Sequence, residues 1–325
     1  MPQLFHTLVA LSFLLMSSAT VLAQQPKMFK IGFVSWFSPG VSRHAEQLRQ
    51  GLRDFGYIEG KNLEFESYFT DGNREKTREV LRSLIDRGVD ILVVAATPAI
   101  HIAKELAQNK IPIVMAPVAD PVATGLVQSL AHPGGNLTGI TMVGADLAGK
   151  RLELLREILP DLRTVAFLGS TRDPNTVTFM RGTKAAAEKL GIKLVEKMVD
   201  GPDAIDETIF KAMKSDGVQA VVVQPIFTGS QNKIVSMAMK EQLPAISDFL
   251  LFAEAGALVT YGVDDDGQVR RAAYYIDRIL KGTSPADLPI EGPTSFKLGV
   301  NAATAKALGL TIPRSLLFRA DLVVE

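Results

Sequence analysis

The sequence predicts an α/β protein built of two doubly wound parallel-sheet lobes, and three observations predict it. Short apolar runs such as Asp90-Ile91-Leu92-Val93-Val94-Ala95 and Gln219-Ala220-Val221-Val222-Val223 have the pattern of strands buried on both faces. These runs alternate with amphipathic segments of helical period, the order that builds a parallel sheet from βαβ units. The series then starts again: Ile31 matches Val165, Gly56 matches Gly191, Ile91 matches Val221 and Pro112 matches Pro244, each about 130 residues apart.

Element by element, Ile31-Gly32-Phe33-Val34 reads as the first strand and Ala45 to Phe55 as a helix stopped by Gly56. Leu63 to Tyr68 alternates with period two, Arg74 to Asp86 is a charged helix closed by Gly88, and Asp90 to Ala95 is a buried strand. A helix to Gln108 and a strand over Pro112–Ala116 complete the first unit. In the second, Val165–Leu168, Lys193–Met198, Gln219–Val223 and Pro244–Ile246 read as strands. Between them lie helices over Phe179–Leu190, Ala204–Met213 and Gln231–Lys240. Further helices are expected over Leu147–Ile158 and Gln268–Leu280.

The 325 residues suffice for two such domains, and 47% hydrophobic with 22% charged residues suits a sizeable core. Lys+Arg and Asp+Glu both total 35, without the basic excess of a nucleic-acid or membrane-surface binder. With no cysteine there is no disulfide, thiolate nucleophile, Cys-based metal site or lipidated Cys. Residues 1–26 contain no Asp, Glu, Lys or Arg, and Leu8 to Met16 is an apolar core followed by Val21-Leu22-Ala23. This pattern predicts a signal peptide over residues 1–23, cleaved after Ala23, and a soluble periplasmic chain. The apolar core falls short of the ~20 residues that span a bilayer.

Reactive constellations are sparse. His44, His101 and His132 form no HExxH or closely spaced pair, so no metal is expected. There is no G-x-S-x-G elbow and no G-x-G-x-x-G fingerprint. Gly144 to Lys150 fits G-x-x-x-x-G-K, but Arg151 stands where Ser or Thr would hold magnesium, and Asp146 reads as a helix cap. Asp264-Asp265-Asp266-Gly267 lacks the alternate ligands and distal Glu of a calcium loop, and suits a helix start. Neither an enzyme nor a cofactor is expected.

In open α/β sheets ligands bind beyond the strands' C-terminal ends, so two facing lobes would share one cleft. That rule selects Trp36 and Phe37, Thr97 and Asp120 in the first lobe. In the second it selects Asp173, Asn175, Gln224, Phe227, Asp248, Tyr261 and Asp264. The two aromatics on a loop suit stacking on a flat ligand. Thr97 is read as the cap of the following helix, whose free N–H groups attract a carboxylate. Asp120, Asp248 and Asp264 suit an ammonium or hydroxyls, and Arg43 reads as part of a solvated helix face.

Four longer stretches carry a family resemblance: Gly51 to Asn62 (Gly-Leu-Arg-Asp-Phe-Gly-Tyr-Ile-Glu-Gly-Lys-Asn), Asp120 to Val127, His132 to Gly139 and Thr304 to Leu317. With Ile279-Leu280-Lys281-Gly282 and Ala286-Asp287-Leu288-Pro289, the chain resembles the ABC transporter substrate-binding family that includes tryptophan- and tyrosine-binding lipoproteins. The resemblance implies a type I periplasmic-binding fold with a three-crossover hinge near Gly139–Val143, Gly262–Asp265 and Pro293–Phe296. Lobe one would then comprise residues 27–141 plus 264–293, and lobe two residues 142–263 plus 294–325. The function implied is the periplasmic solute-binding component of an ABC importer, a monomer taking an amino acid or similar small carboxylate to a permease. The alternative is a periplasmic sensor that presents its ligand to a receptor.

Overall fold

The computed structural model describes residues 27–39, 43–142 and 147–325. The expected signal peptide and the expected Asp146 cap lie outside these residues.

Five strands, β1 (Phe29–Ser35), β2 (Leu63–Phe69), β3 (Ile91–Ala95), β4 (Ile113–Val118) and β5 (Leu137–Thr141), form the first sheet in the order β2-β1-β3-β4-β5. Every pairing in it is parallel. β3 is buried along its whole length, as its uninterrupted apolar run requires between two helical layers. Helices α1 (Arg43–Asp54), α2 (Arg74–Asp86) and α3 (Thr97–Ala107) connect these strands.

After α4 (Ala148–Ile158), the second sheet begins with β6 (Thr164–Ser170), β7 (Lys193–Val199), β8 (Ala220–Val223) and β9 (Ala245–Ser247). It continues with β10 (Val259–Val263), β11 (Phe296–Asn301) and β12 (Leu322–Val324), in the order β12-β11-β10-β9-β8-β6-β7. The helices of this part of the chain are α5 (Thr176–Lys189), α6 (Glu207–Ser215), α7 (Gln231–Lys240), α8 (Leu250–Glu254), α9 (Asp265–Leu280), α10 (Ala302–Ala307) and α11 (Arg314–Arg319). The order β2-β1-β3-β4 recurs as β7-β6-β8-β9, so the repeat read from sequence is a repeat of topology. The second sheet departs from a purely parallel one because β11 returns antiparallel to β10.

Helix α9 follows a strand of the second sheet yet packs on the first. Its Val269, Ala272, Ala273 and Ile276 share a core with Ile31, Leu48 and Leu52. Gly51 makes this approach possible, since a Cβ there would lie 2.5 Å from the Arg270 carbonyl oxygen. The chain therefore passes between lobes after β5, between β10 and α9, and again before β11. These passages run side by side: Thr141 N donates to Glu291 O at 2.9 Å, and Asp264 N donates to Ser295 O at 3.1 Å. Gln268 Nε2 adds a bond of 3.2 Å to Thr141 O. Among the described residues no helix is long and apolar enough to cross a membrane.

Candidate functional site

The C-terminal ends of both sheets meet at one cleft. On the second lobe, the turn between β6 and α5 carries Asp173. Asn175 donates its backbone N–H to Asp173 Oδ1 at 3.0 Å, and Gln224 donates from Nε2 to Oδ2 at 2.7 Å. Gln224 is itself fixed, its Oε1 accepting from Ser170 N and from Thr176 Oγ1, both at 2.9 Å. Asp173 is thus a buried carboxylate oriented by amides rather than by a cation. Burial pushes its pKa up from 3.8 to about 6, against the pull of the Asn175 N–H.

The first lobe answers with backbone. Ala96, between β3 and α3, has φ 74°, a conformation an L residue adopts at a cost of about 1–3 kcal/mol. The turn aims the first turn of α3 across the cleft. Thr97 is not the cap expected from sequence: the N-cap position belongs to Ala96, which has no capping side chain, and Thr97 is already helical. The hydroxyl is used elsewhere, Thr97 Oγ1 accepting from Asn175 Nδ2 at 2.6 Å across the lobes. Asn175 Oδ1 in turn accepts from Asp120 N at 3.2 Å, and Ser38 Oγ donates to Gly229 O at 3.2 Å. The lobes are closed on each other through these bonds.

Between them lies a cavity of about 30 Å³, walled by Phe37, Phe179, Phe249, Met142 and Ile226 with Asp173, Thr97 and His44 among its polar members. That is room for a water and far below the ~300 Å³ or more of a ligand pocket. A second cavity of about 230 Å³, bordered by Asp120 and Asn175, adjoins it and shares Ala119, Met142 and Phe179 with it. Movement of Met142 and Phe179, or parting of the lobes, is needed to admit a larger occupant.

The remaining sequence candidates, Asp120 excepted, lie outside these two cavities. Trp36 is buried against a separate groove with Thr70, Gly72, Arg172 and Asp203. Phe227 belongs to the core of the second lobe. Asp248 is committed to an ion pair with Arg151, and burial pushes it up to about 6 despite that partner. Tyr261 gives its backbone oxygen to Arg151 Nε at 2.8 Å, while its ring stacks on Phe296. Asp264 caps α9, accepting from Gly267 N at 3.2 Å, and that helix starts at Asp265 rather than Gln268. Asp120 Oδ1 accepts from Val122 N and Ala123 N, closing its own turn.

Sequence reasoning missed Arg151 and His44. In the sequence Arg151 stands out only as a break in a phosphate motif, yet it is buried and anchors Asp248. Gly262 makes room for that anchor, because a Cβ there would lie 2.3 Å from Asp248 O. His44 Nε2 lies 2.8 Å from Asp265 Oδ2 at the crossover into α9. His44, Asp265 and Asp266 bring ligand atoms within 4.8 Å of one another. Arg43 already supplies the positive charge there, 3.2 Å from Asp266 and 3.7 Å from Asp265, and also reaches Glu254 of the second lobe at 3.7 Å. Arg43 is therefore an interlobe ion-pair residue rather than part of a solvated face.

Two parallel-sheet lobes, linked by adjacent crossovers and closing strand ends on a shared cleft, are the architecture of a type I periplasmic-binding protein. The chain belongs to the ABC transporter substrate binding protein family, whose profile matches residues 32–324, a family of solute-binding proteins rather than enzymes. It is 24% identical over 273 residues to the tyrosine-binding protein of Clostridioides difficile, covering 84% of this chain and 78% of that one. A Streptococcus pneumonia ABC domain solved in complex with L-Trp is similar at TM-score 0.85 and 27% identity, over 92% of this chain and 100% of the other. A conserved domain protein from Vibrio cholerae gives a TM-score of 0.86 at 28% identity, over 91% and 100%.

Proposed function

We propose that the protein captures an α-amino acid with a large apolar side chain in the interlobe cleft and delivers it to an ABC permease for import. The observation that carries this reading is Asp173: a buried carboxylate held by amides at the edge of an apolar, aromatic-lined cavity. A charge so placed is matched by an ammonium, which would restore the ionised form that burial disfavours. The apolar walls suit the ligand's side chain, and the open first turn of α3 beside Thr97 suits its carboxylate. The relatives that bind tyrosine and L-Trp support the same class of ligand. In this reading the chain works in the periplasm, released from an N-terminal leader, as a monomer that opens and closes without a catalytic step.

Calorimetric titration tests it. L-tryptophan and L-tyrosine are expected to bind. Tryptamine, which lacks the carboxylate, and indole-3-propionate, which lacks the ammonium, are each expected to bind at least about tenfold more weakly. Binding of sugars with none of the amino acids would overturn the reading.

A further inference from the structure

His44 lines the central cavity and is 1% exposed. Its two ring nitrogens are in different situations. Nε2 is held at 2.8 Å by Asp265 Oδ2, an acceptor, so the proton of the neutral ring is fixed on Nε2. Arg43 stands 3.7 Å from the same carboxylate and helps to balance its charge. Nδ1 is buried and has no hydrogen-bond partner among the described residues. A buried polar atom without a partner carries a desolvation cost that a ligand group can relieve.

We infer that His44 is a specificity residue of the cleft, its Nδ1 accepting a hydrogen bond from an N–H or O–H on the ligand's side chain. Asp265 is the positioning residue that sets the tautomer. The inference rests on the amino-acid reading and deepens it, because Asp173 would take the ammonium that all amino acids share. His44 would then distinguish among their side chains. Phe37, Phe179 and Phe249 give apolar surface to any ring, so without His44 the cleft would accept tyrosine and phenylalanine nearly alike.

The test compares matched pairs by calorimetry on the intact protein. L-tyrosine is paired with L-phenylalanine, and L-tryptophan with its analogue carrying sulfur in place of the ring N–H. The wild type is expected to prefer the donor-bearing member of at least one pair by about tenfold. In His44→Leu that preference should fall to about twofold or less, with the donor-free member still bound. His44→Gln, which keeps a polar side chain in the cavity, serves where the leucine variant does not fold, and it too should lose most of the preference because its amide lacks the ring's geometry. A wild type that binds both members of each pair equally would overturn the assignment while leaving the amino-acid reading intact. A preference unchanged in both variants would do the same. Binding of none of the four amino acids would overturn both.

Discussion

Corresponding turns of the two lobes have been put to different uses. The turn after β1 carries Trp36 and Phe37, and its counterpart after β6 carries Asp173 and Asn175. The turn after β3 holds Ala96 at positive φ, and its counterpart after β8 holds Gln224, which is locked onto Asp173. One scaffold repeated twice thus supplies Phe37 and strained backbone from the first lobe, and from the second a hydrogen-bonded polar cluster beside the aromatic walls Phe179 and Phe249. Topology places the turns, and their side chains alone make the faces unequal. The polar face is also the demanding one, because each of its buried groups must keep its partner.

The largest expected effect exploits that demand. Arg151→Met leaves Asp248 buried without its cation, which should cost about 3–5 kcal/mol of stability in urea unfolding. The loss should ease as pH falls, because without the Arg151 cation Asp248 takes up its proton more readily than it does in the wild type. The double variant Arg151→Met with Asp248→Leu should recover most of it. An Arg151→Met protein as stable as the wild type would show that the second lobe's buried polar groups do not need their partners.

A smaller effect sharpens the contrast from the other side. Thr97→Val keeps the shape but removes the acceptor for Asn175 Nδ2, the bond that ties the two faces in the closed state. Ligand affinity by calorimetry should fall by about 0.5–1.5 kcal/mol, with the melting temperature of the free protein little changed. Unaltered affinity would mean that the first lobe acts through apolar surface and backbone alone.

The contrast also explains what was legible in the sequence. The repeat, most strand centres and the strand-end turns follow from apolar periodicity, which a single sequence displays directly. Asp173, Asn175 and Gln224 stand out as candidates because they are polar residues on strand-end loops, and the fold brings the three together. β11 and β12 were not anticipated: Phe-Lys-Leu-Gly-Val-Asn has no clean alternation, and β12 has only three residues. Thr97 has the residue type of a cap, whereas the positive φ of Ala96 moves the helix start and no alanine signals such a turn. Arg151 and Asp248 meet across 97 residues, and His44 and Asp265 across 221. Such pairings depend on the arrangement of the sheets and crossovers, which local pattern does not encode. The resemblance to the substrate-binding family, by contrast, was read from the residues themselves and stands with the family match.

The central claim is that Asp173 receives the ligand's ammonium, and the pH dependence of binding tests it most directly. Burial raises the folded-state pKa of Asp173 from 3.8 to about 6, so its protonation stabilises the free protein. That contribution is fully present below pH 3.8 and is lost as pH rises through about 6. Binding should run the opposite way, because an ammonium needs the carboxylate ionised. L-tryptophan affinity, measured by calorimetry between pH 7.5 and 4.5 (roughly spanning the unit or more either side of that pKa), should fall as pH drops through about 6. Asp173→Asn should bind about 1.5–3 kcal/mol more weakly at neutral pH and show little of that dependence. Wild-type affinity retained in Asp173→Asn, or the same pH profile in both proteins, would contradict the account.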